Sequence, residues 1–269
     1  MTKTILLTGS TDGIGLETAK ALAASHHNVL LHGRSTAKLD DAETQVRATG
    51  GRGVIQTYQA DLSRADDVVA LAAAVTGEHD RLDVIVNNAG VFGVSDPKAD
   101  NGLDVRFMVN TVAPYILTQR LLPLLNEDGR VINLSSAAQA SVDADAFRGK
   151  TQLDDGSAYA QSKLAITMWS IHLARQLGES GPSIIAVNPG SLLGTKMVRE
   201  AFGTAGKDIG IGVDILTRAA TSDEFANASG RYWDNDAQHF ANPHPDALDP
   251  QKNAALVALL ETTIESLTR

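Results

Sequence analysis

The chain of 269 residues contains no cysteine. Disulfides, thiolate catalysis and cysteine–zinc centres are thereby excluded, and the composition is compatible with a reducing compartment. Aromatic residues make up 4% of the sequence, too few for the stacking platforms that hold single-stranded nucleic acid. Basic residues are outnumbered: 23 Lys and Arg stand against 32 Asp and Glu, for a net charge of −9. That balance argues against nucleic acid or an acidic membrane surface as partner, while a small anionic cofactor needs only a local positive pocket. No apolar run is long enough to span a bilayer, and the opening "TKTILLTGS" lacks the basic segment and apolar core of a signal peptide. The seven histidines show no ligand spacing, so no metal site is expected; His239 and His244 fall in a Pro- and Asn-rich stretch that reads as loop. These absences leave the expectation of a soluble, cytoplasmic protein.

What is present is an alternation. Short apolar runs at 4–8, 28–33, 54–59, 83–88, 130–135 and 183–188 read as strands, several of them apolar on consecutive positions as doubly buried strands are. Helical patterns fill 14–25, 36–49, 65–76, 103–125 and 158–178. The expectation is one α/β domain over 1–269, a doubly wound parallel sheet of the Rossmann type. It has about seven strands with helices on both faces, "GRYWDND" around Trp233 supplying the seventh. Ser63 is placed as the N-cap of the third helix, and Pro114 kinks or splits the fourth. Segment 192–228, with five glycines, reads as a mobile substrate flap. The tail from Pro250 reads as an amphipathic helix with Leu256, Leu259, Leu260, Ile264 and Leu267 on one side.

"TGSTDGIG" at 8–15 links the first strand to the first helix. Glycines in that position permit a tight turn and close approach of backbone to a pyrophosphate, which the helix N-terminus attracts. An ordinary strand-to-helix turn is the alternative. At the end of the second strand, "LLHGRS" puts Gly33 where an acid would accept the 2′-hydroxyl of a ribose, followed by Arg34 and Ser35. A guanidinium fork there suits a 2′-phosphate, against the alternative of a solvated surface arginine.

A third group lies further on. Tyr159 and Lys163, four apart, share a helix face, and Ser136 ends the fifth strand 23 positions before Tyr159. A free tyrosine, with a pKa near ~10, is a poor base at neutral pH, and a neighbouring ammonium favours its phenolate. A serine hydroxyl can bond a substrate oxygen where charge develops. All three belong at the carboxyl edge of the sheet.

Together these segments resemble the short-chain dehydrogenase/reductase family. The resemblance rests on Thr8-Gly9-x-x-x-Gly13-Ile14-Gly15, Asp61-Leu62, "NNAG" at 87–90, Asn110, Ser136, "YAQSK" at 159–163 and "NPG" at 188–190, in family order over residues 4–195. The wording of "NTVAPYILTQRLLPLL" resembles the retinol-dehydrogenase-like and protochlorophyllide-reductase-like branch. The resemblance implies Tyr159 as acid/base and Lys163 as the group that lowers its pKa and holds the nicotinamide ribose. It implies Ser136 as the carbonyl-orienting hydroxyl and Asn110 as a helix-bulge residue anchoring a water relay. The turn Gly9 to Gly15, with Ser10, Thr11, Asp12, Gly13 and Ile14, together with Arg34 and Ser35, would bind the cofactor. Asp61 and Leu62 would meet adenine, Asn88, Ala89 and Gly90 would lie beneath the cofactor, and Pro189 and Gly190 would sit beside the nicotinamide amide.

The chain departs from the family pattern twice. An insert at 138–156 lengthens the gap from Ser136 to Tyr159, and "NPGSLLGTKM" has one residue more before Thr195, which leaves that threonine a less secure contact than Pro189 or Gly190. The resulting expectation is a carbonyl/alcohol oxidoreductase using NADP(H), with NAD(H) as the second cofactor. Its pocket is shaped by the insert and the flap, and it assembles as a homodimer or homotetramer through the apolar faces of helices 103–125 and 158–178. Rivals are a catalytically silent NADP(H) sensor on the same fold, and a sugar-nucleotide epimerase or dehydratase. Phe92, Phe147, Phe202 and Phe240 are candidate pocket walls by location, and Trp169 a core or interface residue.

Overall fold

Alternation within each strand sorts its side chains into two cores. Ile5 and Leu7 on the first strand, and Val29 and Leu31 on the second, join one cluster, while Leu6 and Leu30 between them join the other. The computed structural model describes residues 1–267. Its strands are β1 (Thr4–Leu7), β2 (Asn28–Gly33), β3 (Ile55–Gln59), β4 (Leu82–Asn87), β5 (Leu125–Leu134), β6 (Ser183–Asn188), β7 (Tyr232–Asp234) and β8 (His239–Ala241). Among the described residues they form one sheet in the order β3-β2-β1-β4-β5-β6-β7-β8, parallel except for the β7–β8 hairpin. The sheet therefore has one strand more than expected, because "HFA" pairs with "YWD" and places His239 on a strand rather than in a loop. Strand order reverses at β1, whose carboxyl end opens beside that of β4.

One face is covered by α1 (Gly13–Ala24), α2 (Thr36–Arg47) and α9 (Gly210–Thr221). The other carries α3 (Ala65–Glu78), α5 (Ala113–Leu121), α7 (Asp155–Leu177), the short α10 (Pro245–Leu248) and α11 (Pro250–Leu267). Ser63 does not cap α3: its N–H and hydroxyl both donate to Asp61 Oδ1, and Arg64 takes the cap position without a side-chain bond. The helix expected at 103–125 is split. A short α4 (Val105–Phe107) runs into a π turn, Met108–Val112, before α5 begins with Pro114 in its first turn. The extra residue of a π turn leaves room for the missing proline N–H and turns Asn110 inward.

The span expected as a flap divides in two. Residues 192–207 make an excursion containing α8 (Lys196–Phe202), whereas α9 is a core helix that buries Ile215, Leu216, Ala219 and Ala220. The insert is packed as well. Its α6 (Ala144–Phe147) buries Phe147 against Phe107 with ring centroids 5.0 Å apart. Arg106, 0% exposed, pairs with Asp104 at 2.6 Å and with Asp155 in the first turn of α7. Such a triad is costly to break, because the unpaired charge stays buried.

The tail helix α11 lies along α7 and buries Leu256, Val257, Leu259 and Leu260, with Ile264 and Leu267 packed beside them. Tyr115 on α5 reaches it, donating to Glu261 at 3.2 Å. Trp169 is core, edge-on to Tyr115 at 5.5 Å. The exposed large apolar residues among those described are Met1, Val54, Leu192, Phe202, Ile211 and Leu248, none of them on α5 or α7. The faces on which subunit assembly was expected are thus covered within the chain. No helix among the described residues is long and apolar enough to cross a membrane.

Candidate active site

The ends of β1 and β4 are stitched together where the sheet opens. Thr8 Oγ1 accepts from the N–H groups of Asn88 (3.0 Å) and Ala89 (3.1 Å), and Asn88 Nδ2 donates to the carbonyls of Thr8 (2.8 Å) and Gly9 (3.0 Å). Gly9 sits at φ +65°, and a methyl on Gly15 would stand 2.1 Å from the Gly9 carbonyl oxygen, so the turn closes only with glycine there. Asp12 caps α1 by accepting from Gly13 N–H at 2.7 Å, which leaves the N–H groups of Ile14 and Gly15 without intrahelical partners.

Ser10 departs from expectation. It is fully buried and faces the sheet, where its hydroxyl donates to the His32 carbonyl (3.2 Å) and accepts the His32 N–H (2.9 Å). Its side chain supports the turn and presents nothing to a ligand. His32, unforeseen, is the other support: Nδ1 accepts the Gly9 N–H at 3.1 Å and Nε2 meets the Ala60 carbonyl at 3.1 Å. Burial pushes the imidazole down to about 4 against the raising effect of that carbonyl, so it is neutral, with Nε2–H as donor. The available signal was a lone ring nitrogen donor inside an apolar strand.

Arg34 follows Gly33 at the end of β2, exposed, and its guanidinium makes no ion pair or hydrogen bond among the described residues. Ser35 stands in the N-cap position of α2 without using its hydroxyl on the helix. Asp61 spends Oδ1 on Ser63, and its N–H donates to Asp67 at 3.1 Å. Leu62 turns into the core.

Across the cleft, Ser135 and Ser136 separate in role. Ser135 is buried and bonds the Lys163 carbonyl (3.1 Å) and the Thr167 hydroxyl (2.6 Å), tying β5 to α7. Ser136 is half-buried; its hydroxyl accepts from Ala138 N–H at 3.1 Å and favours the ionised form of the Tyr159 phenol. Its carbonyl takes two donors that the sequence did not flag, Tyr232 Oη at 3.1 Å and Gln139 Nε2 at 2.9 Å. The ammonium of Lys163, a residue 4% exposed, makes one hydrogen bond among the described residues, from Nζ to the Leu134 carbonyl at 2.7 Å. A methyl built on Gly90 would stand 3.5 Å from that Nζ and 3.4 Å from Asn110 Oδ1, so Gly90 adjoins both groups. Asn110 accepts from Val91 N–H (2.8 Å) and donates to the Val91 carbonyl and to Ser162 Oγ (both 3.0 Å).

The expected lowering of the tyrosine is reversed among the protein groups. Burial pushes the Tyr159 phenol up, only partly offset by Ser136, and Lys163 Nζ lies 5.6 Å from the ring centroid. Burial also holds the Lys163 ammonium down, at about 8. Desolvation disfavours both charged forms, so the phenol is protonated at neutral pH.

Of the four candidate wall residues, two reach the site. Phe92 lies 4.9 Å from the Tyr159 ring and 5.3 Å from Phe202, which is 55% exposed on α8. Phe147 and Phe240 pack in the core instead. Pro189 and Gly190 follow the end of β6, with the Pro189 carbonyl accepting from Asn235 at 3.0 Å.

The residues fit a dinucleotide. Helix-start N–H groups, an unpaired guanidinium at the end of β2, and a buried ammonium with donors to spare lie along the carboxyl edge of one sheet.

Known proteins agree with this arrangement. The family model for short chain dehydrogenase matches residues 3–206. Human retinol dehydrogenase 13 is 30% identical over 268 residues, covering 93% of this chain and 80% of its own length. Among solved structures, a protein from Mycobacterium paratuberculosis superposes with a TM-score of 0.82 at 25% identity, over 98% of this chain and 93% of its own. A short chain dehydrogenase from Shigella flexneri, complexed with NADP, gives a TM-score of 0.68 at 27% identity over 87% of this chain and 97% of its own. A match that spans both the glycine turn and the Ser136–Tyr159–Lys163 group makes this chain an NAD(P)-dependent oxidoreductase of the short-chain dehydrogenase/reductase family, in its retinol-dehydrogenase-like branch.

Proposed function

We propose that the protein interconverts a carbonyl and an alcohol with NADP(H), working as a reductase. The observation that carries this reading is the meeting of a Tyr159 kept protonated by burial, acted on by Ser136, with a buried Lys163 ammonium beside Gly90. The dinucleotide would be held by the Gly9–Gly15 turn, by Arg34 and Ser35 at its 2′-phosphate, by Asp61 and Leu62, by Asn88 to Gly90, and by Lys163, Pro189 and Gly190. When bound it supplies the hydride for the carbonyl carbon. Ser136 donates to the carbonyl oxygen and aligns it, and Tyr159 passes its proton to that oxygen as charge develops. Lys163 stabilises the phenolate left behind, and Asn110 holds the loop at Val91 against α7.

A phenol kept protonated by burial is ready as an acid, which favours reduction over oxidation near neutral pH. The substrate is proposed to be lipophilic. Relatives named for retinol support this, as do the exposed Leu192, Phe202 and Ile211 around the mouth. A cytoplasmic setting accords with the composition, and assembly through α5 and α7 is not favoured, since α11 lies along α7 and, among the described residues, neither helix exposes a large apolar side chain.

The test is oxidation of NADPH across a panel of aldehydes and ketones, with Tyr159→Phe alongside. Turnover by the wild type, lost in the variant while NADPH still binds, is the expected result. Equal NADPH binding with no turnover by either protein would favour a silent sensor.

A further inference from the structure

The segment "DND" at 234–236 runs on from the end of β7, and its last residue collects more donors than any group in the reaction centre. Both Asp236 carboxylate oxygens lie 3.0 Å from Ser191 N–H, and Oδ2 also accepts from the Ser191 hydroxyl and from Asn188 Nδ2 at 3.0 Å. Lys207 Nζ approaches Oδ1 at 3.4 Å. Ser191 and Lys207 are the two feet of the excursion that carries α8. The feet are closed by Gly194 N–H to Lys207 O and Lys207 N–H to Leu192 O, both 2.7 Å.

Next to one foot, Leu192 stands at φ +55°, a conformation that costs a non-glycine residue energy and persists only where surroundings impose it. The excursion so held reaches the site at both ends. Thr195 Cγ2 would lie 3.7 Å from a methyl built on Gly13, and Phe202 packs on Phe92 beside Tyr159.

We propose that Asp236 is a positioning residue that locks both feet of the 192–207 excursion to the Pro189–Gly190 shelf, so that cofactor and substrate meet a preformed wall. Its hydrogen bonds outweigh the opposing effect of burial and hold the carboxyl at about 2, so the lock carries its charge at every working pH. The role rests on the reading of this cleft as the cofactor and substrate site, and half of its test is independent of that reading.

In Asp236→Ala, trypsin should cut the exposed Lys196 and Arg199 roughly tenfold faster than in the wild type, as expected for losing charge-assisted bonds. KM for NADPH and for the carbonyl should both rise by roughly tenfold, with kcat changed by less than about threefold, since Asp236 touches no reacting atom. Ser191→Ala, which removes one donor and leaves the carboxylate, should move cleavage and KM the same way by a smaller factor. Wild-type cleavage and wild-type KM in Asp236→Ala would overturn the proposal. So would a loss of kcat and thermal stability with KM unchanged, which would leave Asp236 a purely structural residue. If the wild type reduces no carbonyl, the functional reading fails while the tryptic comparison still decides the lock.

Discussion

On the β1 side of the cleft, the chain is held by groups withdrawn from water. Thr8, Asn88, Ser10 and His32 bond backbone to backbone-bearing neighbours, and the turn they fix packs so closely that a methyl at Gly15 has no room. On the β6 side, the excursion 192–207 is held at its feet by an exposed carboxylate, and its far end carries Phe202 into solvent. One side is fixed by burial, the other by a charged tether at the surface. The difference suits the two ligands: a cofactor of constant shape against a buried turn, and a substrate entering past a segment tied by a carboxylate at its base and by Phe202 on Phe92 further out.

Tyr159 stands where the two sides meet, so its loss has the largest effect. Tyr159→Phe should lower kcat by roughly a thousandfold, the scale of a lost general acid, with NADPH affinity unchanged in fluorescence titration. A loss of NADPH affinity instead would mean that the phenol belongs to the binding side.

His32 tests the buried side through pH. Its folded value, about 4, lies below its ordinary 6.5, so between those values the unfolded chain binds the extra proton. Stability therefore falls as pH drops from 6.5 towards 4, by about 3 kcal/mol from this group, and the loss levels off below. His27, also held down by burial, adds in the same direction. Urea midpoints measured across that window should fall less steeply in His32→Gln, and an unchanged slope would remove His32 from the support of the turn.

Arg34→Ala should then lower NADPH affinity by roughly tenfold to a hundredfold and leave NADH alone, as one charge-assisted phosphate contact is lost. Equal loss for both cofactors would show that Arg34 does not read the 2′-phosphate. The smallest effect belongs to the exposed side. Phe202→Ala should raise KM for bulky carbonyls by roughly threefold to tenfold while sparing small ones, with kcat held, since only part of one ring contact is removed.

The two sides also differ in how far they could be read in advance. The glycine turn, Gly33-Arg34, and the Tyr159–Lys163 pair are local patterns with a fixed period or a fixed place after a strand, and the structure puts them where that reading does. Ser10 was misjudged because a one-residue difference in facing, inside or outside the turn, has no signature in composition. Asp236 could not be found, since its partner Ser191 lies 45 residues away and such bonds have no sequence period. The same holds for Gly9 and His32, separated by 23. The expected flap is too long because five glycines between 194 and 212 obscure the helical spacing of Ile215, Leu216, Ala219 and Ala220 that follows them. The insert, expected to shape the pocket, also buries Phe147 and bonds to the first turns of α7 through Asp143 N–H to Gln161 and Ala140 N–H to Ala160 O, which only tertiary packing decides.

The helix α11 has a further consequence. By lying along α7 within the same chain, it covers the apolar face of the helix that carries Tyr159 and Lys163. Dilution cannot strip away a partner that is covalently attached, so specific activity should stay constant down to concentrations at which an assembly dependent on this face would dissociate.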